Sequence, residues 1–407
     1  MPTPTIHWAV DASGDWATTA DWRPHRLPNS TDDVAIDTAD VHVVTHSVGT
    51  STVHSLTVGN DIFVVSGGSL TVNSTSSFDI LLSVSGGTMR FGGAATAALL
   101  SQSGGTVSGA GTLTVTGQTT FASALAQIGT GRTVLAGDSK INDSGEVDLD
   151  GGRTLENQGV FAVTRSARIV LGKNLSGGSG GNATLKNDAA GTIDMQGDNN
   201  QIESIVGGVT RFINAGTLKK TGGGRTIVGV NTRDTGSIEA VSGTLEFFLG
   251  ITGDGSLAVD TGATLSLDSP VAATLDMTFN GGTLSLRDPA SFAATIHAFS
   301  SGDTIDLLSR TATKATLGAG DTLVIKNGTA TIATLQLAGN HTGDTFNVAS
   351  DGHGGTNITV TSGPAHAARF TAAMAGIGGA GQGSVFVSGE APHARPPMLT
   401  APRMAMA

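Results

Sequence analysis

Polar and apolar residues alternate in short runs along most of the chain, and a glycine precedes many of these runs. The recurring phrase is glycine, then serine or threonine, then an aliphatic residue followed by further polar–apolar alternation. A period of two is typical of a β-strand with one face toward a core, and glycine suits the turn before it. Copies begin at Gly68, Gly191, Gly216, Gly236, Gly243 and Gly282. The pattern therefore predicts many short strands separated by tight turns.

The turn glycines also recur at a nearly constant interval. Gly68, Gly87 and Gly105 are about 19 and 18 residues apart, and a second series has intervals of about 20 and 19 residues. The second series is Gly216, Gly236 and Gly255. Repeats of this length made of short strands indicate a solenoid, in which each turn buries its inner face by stacking on its neighbours. We therefore expect an all-β chain folded as a right-handed parallel β-helix.

The two ends of the chain differ from its middle. Residues 1–40 hold all three tryptophans, which we interpret as a cap over the open end of the stack; a sugar-binding tryptophan patch is the alternative. Residues 41–295 are predicted to form the repeated turns, and residues 296–361 a β-rich C-terminal module. Residues 362–407 are rich in alanine, glycine, proline and methionine and are predicted to form a flexible tail.

Asparagine-containing turns recur within the repeated region. Examples are Glu156-Asn157-Gln158-Gly159 and Leu185-Lys186-Asn187-Asp188. Asparagine tolerates the left-handed backbone, and stacked copies can hydrogen-bond to one another. We therefore expect asparagine ladders along the solenoid.

Composition narrows the classes of function. The chain has 407 residues, of which 59 are glycine, 14% are charged and 4% are aromatic, and its net charge is −11. A chain without a basic stripe does not suit nucleic-acid binding, and no apolar run is long enough for a membrane-spanning helix. Cysteine is absent, which excludes disulfides and thiolate metal sites. This composition favours an extracellular, strand-rich protein.

Several segments resemble a known group of proteins. The N-terminal order of Trp8, Gly14-Asp15-Trp16, Asp21-Trp22 and Asp32-Asp33-Val34-Ala35-Ile36 is similar to the opening of autotransporter-like and adhesin-like β-solenoids of bacterial surfaces. The segments Phe212–Leu218 and Asn231–Leu245 resemble their repeated turns, and residues 296–360 resemble the terminal module that follows such repeats in secreted proteobacterial proteins. The resemblance covers about residues 6–360 and implies display outside the cell, with a C-terminal tail that serves export.

Three aspartates are candidate calcium ligands. Asp303, Asp306 and Asp351 lie in glycine-containing turns of the C-terminal module, and secreted β-roll modules bind calcium between such turns. The segment Asp351–Gly355 is a single partial copy of the repeated glycine–aspartate motif. The alternative is that these aspartates cap tight turns. We predict no other cofactor.

A second acidic group provides the candidate catalytic residues. Glu146, Asp148 and Asp150 alternate with apolar residues and follow Asp143, so we expect three carboxylates to point outward from one strand. Glycosidases need carboxylates that converge on one bond. A row on one exposed strand is instead typical of a solvated acidic surface, and we predict no catalytic site.

These observations predict a structural or adhesive protein. We expect a secreted or surface-displayed bacterial β-solenoid that contacts a surface or glycan receptor, or other copies of itself in a matrix or filament. Two alternatives stay open: a parallel β-helix that binds or cleaves carbohydrate, and a calcium-dependent secreted module.

Overall fold

The structure, a computed structural model, describes residues 3–175, 181–205 and 208–363. In these residues the chain is all-β and winds into a β-solenoid of about 13 turns, which confirms the predicted fold class. Most turns contribute three short strands, each hydrogen-bonded in parallel to the equivalent strand of the next turn. The described solenoid therefore has three sheet faces, which we call face 1, face 2 and face 3 in chain order.

Face 1 carries the first strand of each turn. Its strands are Asp33–Ile36, Ser55–Val58, Ser76–Val84, Ala95–Gln102, Thr112–Val115, Arg132–Leu135, Arg153–Asn157, Ala183–Asn187, Thr210–Asn214, Thr232–Asp234 and Ile251–Gly253. Single bridges through Val271 and Phe292 extend the face for two further turns. The long strands Ser76–Val84 and Ala95–Gln102 continue from face 1 onto face 2, with a register shift between Phe78 and Leu81.

Faces 2 and 3 repeat the same stacking. Face 2 adds Val43–His46, Ile62–Val65, Thr119–Phe121, Ser139–Ile141, Val160–Val163, Thr192–Met195, Thr217–Lys220, Ser237–Ala240, Ser256–Asp260, Asp276–Asn280 and Thr295–His297. Face 3 consists of Thr50–Val53, Ser69–Val72, Thr88–Phe91, Thr106–Ser108, Ala124–Ile128, Glu146–Asp150, Arg168–Leu171, Asn200–Ser204, Arg225–Gly229, Thr244–Phe247, Thr264–Leu267, Thr283–Leu286 and Thr304–Leu307. The glycine phrases therefore start strands as the sequence predicts.

Register is continuous along the stack. On face 2 one outward-facing position is paired from turn to turn, and we call these residues the outer column. The outer column is Thr45, Val64, Ser83, Ser101, Thr120, Lys140, Ala162, Asp194, Lys219, Glu239, Ala258, Thr278 and His297. Since paired strands lie about 4.8 Å apart, each step along this column advances one strand spacing.

The inward positions form one hydrophobic core that runs through the stack. Rings fill its N-terminal part: Phe63 contacts Phe78 at a centroid distance of 5.8 Å, and Phe78 contacts Phe91 at 6.3 Å. Close stacking also explains the high glycine content of the turns. Gly68 has a φ of 63°, and a Cβ there would overlap the backbone of Gly49 in the preceding turn.

The N-terminal tryptophans cap the stack as predicted. Trp8, Trp16 and Trp22 are 4%, 2% and 0% exposed, so their rings offer no surface patch for a sugar. Trp22 contacts both other rings edge-on, its indole N–H donates to the Trp16 carbonyl at 2.9 Å, and Trp16 packs on Phe63. The strands Ile6–Trp8, Gly14–Asp15 and Trp22–Arg23, with the 3-10 turn Thr19–Asp21, complete this cap.

The C-terminal module closes the other end of the described stack. The last strand of face 3 pairs antiparallel with Thr356–Thr361, which pairs with Thr345–Ser350. A three-stranded antiparallel sheet of Lys314–Leu317, Thr322–Asn327 and Ala330–Gln336 lies beside the 3-10 turn Pro289–Ser291 and adds its apolar side chains to the core. The predicted tail, residues 362–407, lies outside the described residues except for Ser362 and Gly363. The repeated turns begin at Asp33 and end at Leu307, slightly beyond both predicted boundaries of the repeat region.

The described residues contain no helix that is both long enough and apolar enough to cross a membrane.

Candidate functional site

A groove crosses the outer surface of face 1 near its C-terminal end. It has a volume of about 610 Å³, and the four chain segments that line it come from four successive turns. We call it the face 1 groove. Its lining residues are Arg211, Phe212, Ile213, Asn231, Thr232, Arg233, Gly250, Ile251, Thr252, Pro270, Val271 and Ala272. Three strand spacings make its length along the stack about 14 Å.

Strand alternation decides which side chains enter the groove. Phe212 and Ile251 are buried in the core and contribute mainly backbone to the floor. Arg211 and Arg233 occupy the alternate positions of their strands and are exposed. Ile213 pairs in register with Arg233, so Arg211, two residues before Ile213, is the diagonal neighbour of Arg233. The groove therefore presents two guanidinium groups above an apolar and backbone floor.

The two arginines have no carboxylate partner among the described residues. On the preceding turns of the same face, Glu156 forms ion pairs with Arg132 at 2.8 Å and with Lys186 at 3.1 Å. No described acidic side chain comes within ion-pair distance of Arg211 or Arg233. The groove therefore concentrates positive charge on a chain whose net charge is −11.

Exposed apolar side chains lie on the segments that lead from face 3 into face 1, but they do not line the groove. Val209 is 60% exposed and precedes Thr210–Asn214, while Phe248 and Leu249 are each 39% exposed and precede Ile251–Gly253. The Phe248 ring belongs to the face 3 side, since the Arg225 guanidinium of that face lies 5.6 Å from its centre. The apolar side chains of the groove itself are those of Ile213, Pro270, Val271 and Ala272.

An asparagine ladder supports the groove from the corner between faces 1 and 2. The Asn157 amide donates to Asn187 at 2.8 Å, Asn187 donates to Asn214 at 2.8 Å, and Asn214 donates to Asp234 at 2.6 Å. This confirms the predicted ladder. Its last member is a carboxylate, and burial raises the pKa of Asp234 to about 6 even though Asn214 donates to it. The other oxygen of Asp234, Oδ2, is buried without a hydrogen-bond partner.

The acidic strand on face 3 differs from the prediction. Glu146 and Asp148 point outward as expected, because Val147 and Leu149 are buried in the core. The prediction of a solvated surface is wrong, since Asp148 is 5% exposed and Asp150 is fully buried.

Basic residues from the following turn cover this strand. Lys173 contacts both Glu146 and Asp148, the latter at 2.8 Å, and Arg168 bridges Glu146 and Glu203. Burial raises the pKa of Asp148 to about 6, whereas hydrogen bonds from Lys173 and Arg168 outweigh burial at Glu146 and lower its pKa to about 2. Asp143 lies apart, in an exposed ion pair with Arg165. The carboxylates therefore belong to an ionic network across turns.

The three candidate calcium ligands serve separate local roles. Asp303 is buried in the turn before the strand Thr304–Leu307 and accepts hydrogen bonds from the backbone N–H of Ser300 at 2.7 Å and from its hydroxyl at 3.1 Å. Asp306, three residues later, lies on the outer side of that strand and accepts from Ser285; burial raises its pKa, and the nearby Asp351 charge adds to this. Asp351 caps its own turn by accepting from the backbone N–H groups of His353 and Gly355. Among the residues described, no three such side chains converge as metal ligands.

Sequence reasoning missed the face 1 groove. Arg211 and Arg233 belong to different turns and share no motif, so only the register between turns brings them together.

Comparison of the chain with models of protein families, with curated proteins and with solved structures found no match.

Proposed function

We propose that this chain is a structural and adhesive rod, secreted by or displayed on a bacterium. The observation that carries the proposal is the single core that continues through about 13 stacked turns and is covered at both ends of the described stack. A stack whose neighbouring turns share backbone hydrogen bonds along its whole length resists local bending, since each turn is held on both sides. Such a body suits the spacing or presentation of a binding surface.

The covered ends favour single rods over filaments. At the N-terminal end the short strand Trp22–Arg23 runs antiparallel over Ile6–Trp8, and at the other end Thr356–Thr361 runs antiparallel to the last strand of face 3. Short or reversed edge strands are a common protection against edge-to-edge pairing. We therefore expect contacts with other molecules through the faces.

The proposal needs no reaction centre. Glu146 and Asp148 are the pair of carboxylates whose pKa values are far apart. Both form ion pairs with Lys173 and are largely buried. Separated pKa values in a carboxylate pair are also found at acid–base sites. Here the hydrogen bonds and burial account for them without a substrate.

Electron microscopy of the purified full chain tests the proposal. We expect isolated rods whose stacked part is about 60 Å long, from about 13 turns at about 4.8 Å each. Ordered end-to-end fibres would instead favour polymerisation as the function, and round particles would contradict the rod.

A further inference from the structure

We infer that the face 1 groove binds a carboxylate-bearing polysaccharide, that is, a polymer of uronic acid units. The inference deepens the adhesive part of the proposed function, and rests on it, by naming what the rod would hold. It depends on three features of the groove: arginines without an acidic partner, a floor whose backbone groups are already paired, and apolar lining side chains.

The arginines define the charge of the ligand. A guanidinium group presents a planar fork of donors that matches a carboxylate, and such charge-assisted pairs are stronger than neutral hydrogen bonds. Arg211 and Arg233 are exposed, have no described acidic partner and are diagonal neighbours on adjacent turns. A separation of about 8 Å follows from one strand spacing and two residues along the strand. The groove therefore fits a ligand with negative groups repeated at short intervals.

The floor of the groove disfavours an extended peptide. Thr210–Asn214 pairs with Ala183–Asn187 on one side and with Thr232–Asp234 on the other, and Thr232–Asp234 pairs onward with Ile251–Gly253. The backbone groups that a peptide would need for strand addition are already used. Recognition must come from side chains, which suits a polymer that carries its acidic groups and hydroxyls on rigid rings.

Apolar lining residues provide a surface for such rings. Ile213 lies between the two arginines in the strand register, and Pro270 and Ala272 line the C-terminal end of the groove. Apolar ring faces of sugars can pack on such side chains, while the carboxylates reach the arginines. The groove is about 14 Å long and can hold a few sugar units.

Isothermal titration calorimetry of the full chain with a galacturonate hexamer tests the inference. The comparison ligands are a neutral glucan hexamer of the same length and hexaglutamate, each at low and at high salt. We expect the galacturonate hexamer to bind the full chain, with affinity that falls as salt rises, and both other ligands to bind at least tenfold more weakly. The double variant R211Q/R233Q should lose at least tenfold in affinity for the galacturonate hexamer.

The matched control is Arg90→Gln, because Arg90 is an exposed arginine on face 3 without a described ion pair. It should leave binding unchanged at both salt concentrations. If the glucan bound as tightly as the galacturonate hexamer, charge would not determine binding. If hexaglutamate bound equally or more tightly, the ligand would be an acidic peptide and not a polysaccharide. An unchanged affinity in R211Q/R233Q, with its melting temperature retained, would overturn the site, as would the absence of binding. Rods that do not bind the galacturonate hexamer would contradict this inference and leave the proposed rod standing, whereas binding by round particles would contradict only the proposed rod.

Discussion

The carboxylate at the end of the asparagine ladder gives a sharp test of how the turns are held together. Asp234 is fully buried; its Oδ1 atom accepts hydrogen bonds from the Asn214 amide at 2.6 Å and from the Gly236 backbone N–H at 3.4 Å, and its Oδ2 atom has no partner. The change to test is Asp234→Asn, in which the NH2 group of the new amide takes the place of this oxygen.

The preceding turn shows how that amide would be accommodated. The Asn214 amide donates to the Gly216 carbonyl at 3.2 Å and to the Ser237 carbonyl at 2.9 Å. Ser237 pairs in register with Ser256, so the equivalent acceptors for an amide at position 234 are the carbonyls of Gly236 and Ser256. The substitution should therefore extend the ladder by one member.

The size of the effect follows from the pKa of Asp234. Its pKa is raised from 3.8 to about 6, and each pKa unit corresponds to about 1.4 kcal/mol, so ionising the buried group costs about 3 kcal/mol at neutral pH. This is an upper bound, because relaxation around the charge reduces it. The unit Met1–Ser362 has an unfolding entropy of about 2.1 cal/mol/K per residue. The upper bound of about 3 kcal/mol therefore corresponds to a rise in melting temperature of about 4 °C.

The pH dependence has a definite sign. The pKa of Asp234 is higher in the folded state than in the unfolded state. The stability that protonated Asp234 contributes to the wild type is therefore fully present below about pH 4 and is lost as pH rises through about 6. The difference in melting temperature between Asp234→Asn and the wild type should therefore be near zero at pH 4 and reach its maximum above pH 6.

Calorimetry of both proteins at pH 4, 6 and 8 measures this difference. Asp79→Asn is the matched control, since Asp79 is exposed at a corner of the solenoid and has no described side-chain partner. It should change the melting temperature little at any pH. A variant less stable than the wild type at pH 8, or a gain of equal size at pH 4, would refute the reasoning.

Other changes probe the cap, the turns and the C-terminal module. Trp22→Ala should lower the free energy of unfolding by about 3–5 kcal/mol in denaturant titrations, because it removes a buried ring that joins the two other tryptophans; a loss below about 1 kcal/mol would contradict the cap. Gly111→Ala should destabilise strongly, since its Cβ would overlap the Gly93 carbonyl oxygen of the neighbouring turn, whereas Gly223→Ala meets open space and should change stability by less than about 1 kcal/mol. Chelator and added calcium should leave the melting temperature unchanged, because Asp303 is buried in a turn and accepts hydrogen bonds from Ser300; a rise with calcium would instead support the site predicted from the sequence.

Much of the fold is encoded locally and could be predicted. A glycine at a turn and a period of two after it specify where each strand begins and which side chains are buried, as at Ser69–Val72. The tryptophan cap could be predicted because all three tryptophans, Trp8, Trp16 and Trp22, lie at one end of the chain. The ladder could be predicted from Asn157 and Asn187, which occupy equivalent places in successive turns.

The features that depend on contacts between neighbouring turns could not be predicted from the sequence. The direction of Glu146 and Asp148 follows from alternation, but their burial depends on Lys173, which comes from the following turn. The groove depends on the register between Ile213 and Arg233. Turn lengths vary along the chain, so sequence spacing does not show which outward side chains become neighbours.

Distances along the outer column test the central claim, that successive turns stack in register, most directly. The chain has no cysteine, so spin labels can be placed at Thr45→Cys with Ala162→Cys, and at Thr45→Cys with Ala258→Cys, without background labelling. These pairs are six and ten steps apart in the outer column, which predicts backbone separations of about 29 and about 48 Å at about 4.8 Å per step. Pulsed electron–electron double resonance should give two narrow distributions whose centres differ by about 19 Å. Similar distances for the two pairs, or a second distance shorter than the first, would contradict the stack.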